Sequence, residues 1–182
     1  VNLDYCRQHG IQVYRRKSGG GCVDADEDNV MLSFITSEEY VGLAFHRFVN
    51  MLLFVLRKMG VEATGTRHND VMIGERKVCG TACYVVGGRS IVHSTMLYDT
   101  KMEHMLNAIT PSQEKLQKKG IESVRQRITL LKDYTTLSLD QVKTLIRETL
   151  CDEELVLTHD DVAAIEQLEQ SYLDAEFIKL MI

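Results

Sequence analysis

The sequence predicts one domain of mixed α and β structure with a small appendage. Its length is the first observation, since 182 residues is near the common size of a single domain. The second is a β-rich stretch at residues 61–99, where short apolar segments alternate with glycine turns. The third is a helical spacing of apolar residues, which covers residues 41–59 before this stretch and residues 139–150 and 162–172 after it.

Two helices and two strands are predicted before residue 61. Gly10 can adopt the left-handed conformation that closes a helix, and Thr36 with Glu39 forms a capping box that would begin one. The acidic run at residues 24–28 is typical of a solvated loop. In chain order, the predicted elements are a helix at 1–9, a strand at 11–14, a strand at 30–35 and a helix at 41–59.

Hairpins and further helices are predicted in the rest of the chain. Gly74-Glu75 and Gly87-Gly88 indicate hairpin turns, and Ser138 with Gln141 caps a helix. The boundary between the sheet-forming part of the chain and the helices that follow lies at residues 133–136. The predicted elements are strands at 71–73, 78–86 and 90–98, a helix at 101–109, a helix from 138, and a last helix with a stripe of Val162, Ile165, Leu168 and Tyr172.

Composition and charge exclude several classes of protein. The 21 basic and 26 acidic residues give a net charge of −5, so a nucleic-acid partner is not expected. No apolar run approaches the ~18 residues of a membrane span and no signal peptide opens the chain, so no membrane partner is expected either. Five cysteines at scattered positions favour a reducing, cytoplasmic location.

The glycine-rich segment at residues 15–21, Arg-Arg-Lys-Ser-Gly-Gly-Gly, is the sharpest motif. A Walker loop would end in Gly-Lys-Ser/Thr, but Cys22 follows the glycines. A dinucleotide fingerprint would open a helix, whereas these glycines connect two predicted strands. Two interpretations stay open. The segment is a structural tight turn, or its backbone N–H groups and guanidinium groups bind phosphate or another anion.

A second polar constellation surrounds the first predicted hairpin. Asp70 precedes the predicted strand at 71–73 and Lys77 precedes the one at 78–86, so the two lie at opposite ends of one β-unit and could face a common pocket. A lysine there can neutralise charge that develops in a displacement at phosphorus, and an aspartate can hold Mg²⁺ or orient the lysine. The alternative is a solvated turn. The basic run that ends in Arg125 and Arg127 could face an acidic partner, although such a run is more typical of a solvated face.

His93, Cys79 and Cys83 carry weaker signals. A single histidine on an apolar strand is more often a core residue than a catalyst. The three side chains lack a fourth ligand for zinc, and no Cys-x-x-Cys pair exists. Either cysteine could be a thioester-forming nucleophile, although buried inert cysteine is commoner.

Five motifs in one order resemble the lipoate–protein ligase family. They are residues 15–21 (RRKSGGG), 69–70 (ND), 76–82 (RKVCGTA), 93–97 (HSTML) and 119–129 (KGIESVRQRIT). The resemblance implies an α+β fold, a mixed and mostly antiparallel sheet with packed helices, as in biotin–protein ligases and class II aminoacyl-tRNA synthetases. It implies a ligase catalytic core at residues 1–135, without the family's N-terminal strands, and a helical C-terminal extension of the same domain at 136–182.

The resemblance also implies a two-step reaction. Lipoate attacks the α-phosphate of ATP, with Mg²⁺, to give lipoyl-AMP and pyrophosphate, and a lysine of a carrier domain then attacks the mixed anhydride. No tightly bound cofactor is expected. The implied carriers are lipoyl domains of 2-oxoacid dehydrogenase E2 subunits or the glycine-cleavage H protein. Some family members need an accessory domain or a separate partner protein for adenylate formation.

Family roles map onto this chain by motif, with Lys77 as the catalytic residue that holds the carboxylate and phosphate of lipoyl-AMP. Asp70 is in addition a candidate Mg²⁺ ligand. The implied nucleotide-binding residues are Arg16, Gly21, Cys22, Val23, Asp24 and Lys77. The implied substrate-binding residues are Gly19, Gly20, Asn69, Asp70, Lys77 and His93.

Two other functions stay open because the chain departs from the family pattern. The family usually has a histidine where Ala25 stands and a serine where Cys79 stands. One alternative is an octanoyl or lipoyl transferase that uses a cysteine thioester and no ATP. Its nucleophile would lie at residues 67–70 or just after Pro111, and neither place holds cysteine. The other is a degenerate, non-catalytic paralogue that binds a lipoyl group or a carrier.

Overall fold

The protein is built on one antiparallel sheet, in the order β1-β5-β4-β3-β2. The computed structural model describes residues 1–37, 40–67, 70–109 and 127–172. The strands are β1 (Asn29–Thr36), β2 (Thr64–Gly65), β3 (Val71–Ile73), β4 (Arg76–Val86) and β5 (Arg89–Leu97). The helices are α1 (Leu3–Gln8), α2 (Val41–Lys58), α3 (Met102–Ala108), α4 (Leu139–Leu150) and α5 (His159–Gln170), with a 3₁₀ helix at Leu131–Tyr134.

The predicted hairpins are confirmed. Gly87 and Gly88 join β4 to β5 with φ angles of 57° and 70°, a pair that a type I′ turn requires and that glycine adopts without strain. Gly74, at φ 58°, turns β3 into β4. One isolated parallel bridge, Lys77 to Ile128, adds to the antiparallel pairs. The sheet is therefore mixed and mostly antiparallel, and the α+β fold class is confirmed.

Helix α2 covers one face of the sheet and forms the main core with it. Phe48, Leu52 and Leu56 recur at helical spacing and are at most 1% exposed. They pack in the same cluster as Val92 and Met96 of β5, which are fully buried. Burial of each such side chain contributes about 1.5–3 kcal/mol, so this contact fixes which sheet face is internal.

Two local predictions are wrong. Thr36 does not cap α2, because the pairing of β1 with β5 continues to Thr36 opposite Ser90 and the helix begins only after Tyr40. Glu39 lies outside the described residues. Residues 11–14 are not a strand: a strand needs a partner, and the Ile11 N–H donates to the Cys6 carbonyl at the end of α1 instead.

The sheet face turned away from α2, here called the distal face, carries small and polar side chains. Paired residues share a face, so the register defines it directly. Met31 of β1 lies opposite Thr95 of β5, which lies opposite Gly80 of β4. In the next row of this face, Ser33 lies opposite His93, which lies opposite Ala82.

The two C-terminal helices differ in how they pack. Helix α4 begins with the predicted capping box of Ser138 and Gln141 and buries Val142 and Ile146 in the main core. Helix α5 has a capping box of its own, but none of its residues is buried. Three residues of its predicted apolar stripe, Val162, Ile165 and Leu168, are 42–62% exposed. The fourth, Tyr172, lies just after the helix and is half-buried. No helix among the described residues is long and apolar enough to cross a bilayer.

Candidate functional site

A cleft of about 1030 Å³ lies between the glycine-rich segment, the distal face, α1 and α3. The distal face contributes Met31, His93 and Thr95. Most residues assigned to a site by motif line this cleft. They are Arg16, Gly19, Gly20, Gly21, Cys22, Val23, Asp24 and His93.

Residues 18–21, here called the glycine loop, are attached to the distal face. The Ser18 Oγ lies 2.7 Å from the His93 Nε2. Gly20 stands above Ala82, because a Cβ at Gly20 would lie 3.9 Å from the Ala82 Cβ. Its φ of +102° is rare for other residues, and the same Cβ would lie 3.0 Å from the Arg16 guanidinium. The loop therefore needs glycine at position 20.

Arg16 supports the glycine loop from the cleft side. Its Nη2 donates to the Gly21 carbonyl over 2.6 Å. Desolvation, opposed by Cys22, lowers the pKa of Arg16 from its ordinary value, although an arginine stays charged at neutral pH. The guanidinium thus supplies positive charge at the place where loop residues and the sheet meet.

The pKa of His93 lies below the usual histidine value, because burial disfavours the imidazolium and Arg16 repels it. Below about pH 6.5, the His93 imidazole takes up a proton more readily in the unfolded chain than in the folded one. The free energy of unfolding should therefore fall as pH drops from 7.5 to 5. We expect His93→Gln to flatten this loss in thermal midpoints measured across that range. His159→Gln, on exposed α5, is the control. An unchanged pH dependence in His93→Gln would contradict this assignment.

Lys77, Asp70 and Arg127 form a linked ion-pair group at the other end of the distal face. The Lys77 Nζ lies 2.6 Å from the Asp70 Oδ1, and the Arg127 Nη2 lies 3.2 Å from the Asp70 Oδ2. Asp70 is the most buried of the three, with a side chain 13% exposed. Backbone pairing brings Arg127 there, since the Thr129 N–H donates to the Lys77 carbonyl.

The glycine loop and the ion-pair group share one sheet face, but only the glycine loop lines the cleft. A Cβ at Gly80 would lie 2.7 Å from the Lys77 Nζ, so the ammonium lies over Gly80. Gly20 lies over Ala82, two residues along the same strand, a separation of about 7 Å. Lys77 and Asp70 are not among the residues that line the cleft. Asn69 lies outside the described residues.

The acidic run at residues 24–28 is more than the solvated loop that was predicted. The carboxylate of Asp26 accepts from the backbone N–H of Asp28 and of Lys101, which ties the run to the start of α3. Burial and the charge of Asp26 raise the pKa of Asp24, with a smaller opposing effect of His104. The cleft therefore holds acidic groups beside its arginines.

The described residues do not form a metal centre. No group of three or more His, Cys, Asp or Glu side chains among them could hold a metal ion. Both oxygens of Asp70 face cations, Lys77 and Arg127, which does not favour a third cation there. Magnesium at Asp70 stays a prediction.

Three of the five cysteines have the properties of inert thiols. Cys79 is fully buried, and burial raises its pKa to about 12. Desolvation also raises the pKa of Cys83 and of Cys22 above the usual cysteine value. The thiolate is the reactive form, so none of these three is activated for nucleophilic attack in this structure.

Arg127 is the site residue that reasoning from single residues missed. It ends a basic run that is typical of a solvated face, yet it contacts Asp70, 57 positions earlier in the chain. Its only signal is its place inside the motif at 119–129. The rest of that run, Lys115 to Arg125, lies outside the described residues.

A family model described as the lipoyl protein ligase A/B catalytic domain matches residues 1–151. Lipoate–protein ligase 1 of Staphylococcus aureus is 34% identical over 177 residues, which cover 92% of this chain and 53% of that protein. Lipoate-protein ligase LplJ of Bacillus subtilis is 34% identical over 137 residues, which cover 74% of this chain and 41% of that protein. The chain thus spans about half the length of these curated relatives.

Solved structures of lipoate–protein ligases are also similar to this chain. A bipartite lipoate protein ligase of Thermoplasma acidophilum, studied with its E2 lipoyl domain, has a TM-score of 0.83 at 27% identity, covering 97% of this chain and 74% of that one. A lipoate-protein ligase A bound with ATP has a TM-score of 0.80 at 25% identity, covering 97% of this chain and 75% of that one. By sequence match, fold and motif order, this chain belongs to the lipoyl protein ligase A/B catalytic domain family.

Proposed function

We propose that this chain catalyses ATP-dependent ligation of lipoate to a protein, through lipoyl-AMP. The observation that carries the proposal is a row of cationic and small groups along the distal face. The Arg16-braced glycine loop lies over Ala82, and the Lys77 ammonium lies over Gly80, one row away. An acyl-adenylate needs positive charge at its phosphate and close backbone approach, and this row offers both.

In the first step, a carboxylate oxygen of lipoate attacks the α-phosphorus of ATP, the bond to the bridging oxygen breaks, and pyrophosphate leaves. Negative charge grows on the phosphate oxygens during this displacement. The Lys77 ammonium and the Arg16 guanidinium would offset that charge. Asp70 and Arg127 would hold the Lys77 ammonium in place before substrate binds, through the 2.6 Å and 3.2 Å contacts.

In the second step, the neutral amine of a carrier lysine attacks the acyl carbonyl, an amide forms, and AMP leaves. We propose a lipoyl domain as the carrier. The Thermoplasma acidophilum ligase that this chain resembles was studied with its E2 lipoyl domain, which supports this choice. A lipoate protein ligase of known structure with bound lipoic acid, at 26% identity and a TM-score of 0.80, supports lipoate as the acyl donor.

The cysteine chemistry favours the ligase over the transferase alternative. A thioester enzyme needs an accessible thiolate, but Cys79 is buried with a pKa of about 12 and the pKa of Cys83 is raised as well. Cys79 lies close enough to Lys77 and Asp70 for their charges to act on its pKa, yet burial outweighs them and raises that pKa.

Intact-mass analysis of an E2 lipoyl domain tests the proposal. After incubation with this chain, lipoate, ATP and Mg²⁺, the acceptor should gain the mass of one lipoyl group, and a variant with arginine at the acceptor lysine should not. Supplying synthetic lipoyl-AMP tests the second step alone. Transfer without ATP or lipoyl-AMP would point to the transferase, and no transfer from lipoyl-AMP would contradict an enzymatic role.

Asp24→Asn should strengthen ATP binding. The Asp24 carboxylate lines the cleft and its charge opposes the phosphates. Removing about 1 kcal/mol of repulsion should lower the KM for ATP about fivefold in a pyrophosphate-release assay at pH 7.5. Because burial and Asp26 raise the pKa of Asp24, the advantage should begin to shrink at a higher pH than it would for an ordinary aspartate. Glu27→Gln, at an exposed position of the same run, is the control. An unchanged KM in Asp24→Asn would show that this carboxylate lies away from the nucleotide.

We further propose that residues 136–182 extend the catalytic domain rather than form a second unit. Two observations support this continuity. Val142 and Ile146 are buried in the main core, and the family match continues to residue 151. A cytoplasmic location fits the five free thiols, which a reducing compartment preserves.

A further inference from the structure

The pairing of β3 with β4 is irregular at one residue. Val71 lies opposite Cys79, but its neighbour Met72 lies opposite Lys77. Val78 therefore has no partner on β3, and two residues of β4 stand against one of β3. This is the arrangement of a β-bulge, which occurs beside active sites and redirects the side chains that precede it.

Burial supports this description. In a regular strand, Val78 and Cys79 would point to opposite faces. Both are instead fully buried in the core cluster beneath α2, together with Val71. Two successive inward side chains opposite one partner are the expected result of a bulge.

The bulge changes the face on which Lys77 lies. Without the extra residue, Lys77 would share a face with Cys79, two positions later, and would point into the core. Because Val78 is extra, Lys77 pairs with Met72 and lies on the distal face with Gly80. A lysine under α2 would be costly to bury and could reach no substrate on the distal face.

Gly80 provides the space that Lys77 then occupies. A Cβ at position 80 would lie 2.7 Å from the Lys77 Nζ and 2.8 Å from its Cε. Ordinary contacts at a Cβ begin near 3.4 Å, so the lysine side chain would have to move by several tenths of an ångström. The atoms in the way are the end of the flexible Lys77 side chain. Alanine at position 80 should therefore displace that side chain rather than disturb the fold.

We propose that the bulge at Val78 and the absence of a side chain at Gly80 together position the Lys77 ammonium on the distal face, beside Asp70 and one row from the glycine loop. The proposal rests on the proposed function for its catalytic meaning. Its structural content, the location of the ammonium, stands independently of any reaction. Gly80 and Val78 act through Lys77 and are positioning residues.

Gly80→Ala tests the proposal through the reactivity of Lys77. With an amine-acetylating reagent and peptide mass spectrometry, Lys77 should react severalfold faster in the variant, because its ammonium leaves the Asp70 ion pair. The exposed Lys143 is the internal reference. Gly65→Ala is the matched contrast, since its Cβ would meet the packed Val49 at 2.8 Å. That variant should lose stability and leave Lys77 labelling unchanged.

Kinetics add a second readout. Displacing a charged group by about 1 Å can cost up to about 100-fold in rate, so pyrophosphate release by Gly80→Ala should fall about 10- to 100-fold, with no greater loss of thermal stability than Lys77→Ala shows. If the wild-type protein releases no pyrophosphate, the proposed function fails, but the labelling result still decides the positioning role. Unchanged labelling of Lys77 in folded Gly80→Ala would overturn the proposal.

A double variant covers the case in which Gly80→Ala does not fold. If the clash is with Lys77, removing that side chain should relieve it, so the Lys77→Ala/Gly80→Ala protein should fold and should resemble Lys77→Ala in thermal midpoint. If the double variant also fails to fold, the cost of an alanine at position 80 lies in the strand itself, and the positioning role of Gly80 is wrong.

Discussion

Replacing Lys77 by alanine should reduce the rate of pyrophosphate release from ATP and lipoate by roughly 30- to 1000-fold. The ammonium is held on the distal face by the 2.6 Å contact with Asp70, close to where the phosphate charge would develop. Removing a preorganised electrostatic group of this kind costs on the order of 2–4 kcal/mol of transition-state stabilisation, which gives that range of rates. Single-turnover measurement at saturating ATP would separate this loss from weaker nucleotide binding.

Arg76→Ala is the matched control for Lys77→Ala. Arg76 is the preceding residue of β4 and is exposed, and it pairs with Ile73 rather than with the site residues. Its removal alters the local charge by the same amount but leaves the row over Gly80 and Ala82 intact, so turnover should change little. Equal losses in the two variants would indicate a general charge effect, and turnover near the wild-type value in Lys77→Ala would remove Lys77 from the mechanism.

Most of the fold could be predicted from the sequence because its signals are local. The apolar spacing of α2 reflects one buried stripe, and the glycines at 87 and 88 have the positive φ angles that a two-residue hairpin needs. Residues 11–14 show why the rest could not. Their alternation fits a strand, but a strand exists only if a partner lies beside it, and pairing is a property of the whole chain.

The site was only partly predictable for the same reason. The glycine loop is visible in the sequence as a motif, and the structure brings it to the distal face. In a regular strand, Lys77 would lie on the core face with Cys79. Nothing in the sequence Lys-Val-Cys-Gly indicates the extra residue that places Lys77 on the distal face instead. Arg127 reaches Asp70 through a backbone contact across the fold, which only the family motif hinted at.

Asp70→Asn should lower the free energy of unfolding by about 2 kcal/mol. One carboxylate neutralises two cations, and its side chain is only 13% exposed. An amide cannot offset the charges of Lys77 and Arg127, which would then repel each other at close range. Breaking a fully buried pair costs 3–5 kcal/mol, and the partial exposure of the two cations, 27% and 31%, reduces that figure. Denaturant unfolding at low salt would measure the loss.

A double-mutant cycle with Arg127→Gln separates repulsion from a packing defect. If two uncompensated cations cause the loss in Asp70→Asn, removing one of them should restore part of the stability, so the double variant should lose less than the sum of the single changes by about 1 kcal/mol. High salt should shrink the same difference, because partly exposed charges are screened. If the losses are additive and salt leaves them unchanged, Asp70 contributes to stability by its shape or by neutral hydrogen bonds. The position of Lys77 would then not depend on the negative charge of Asp70.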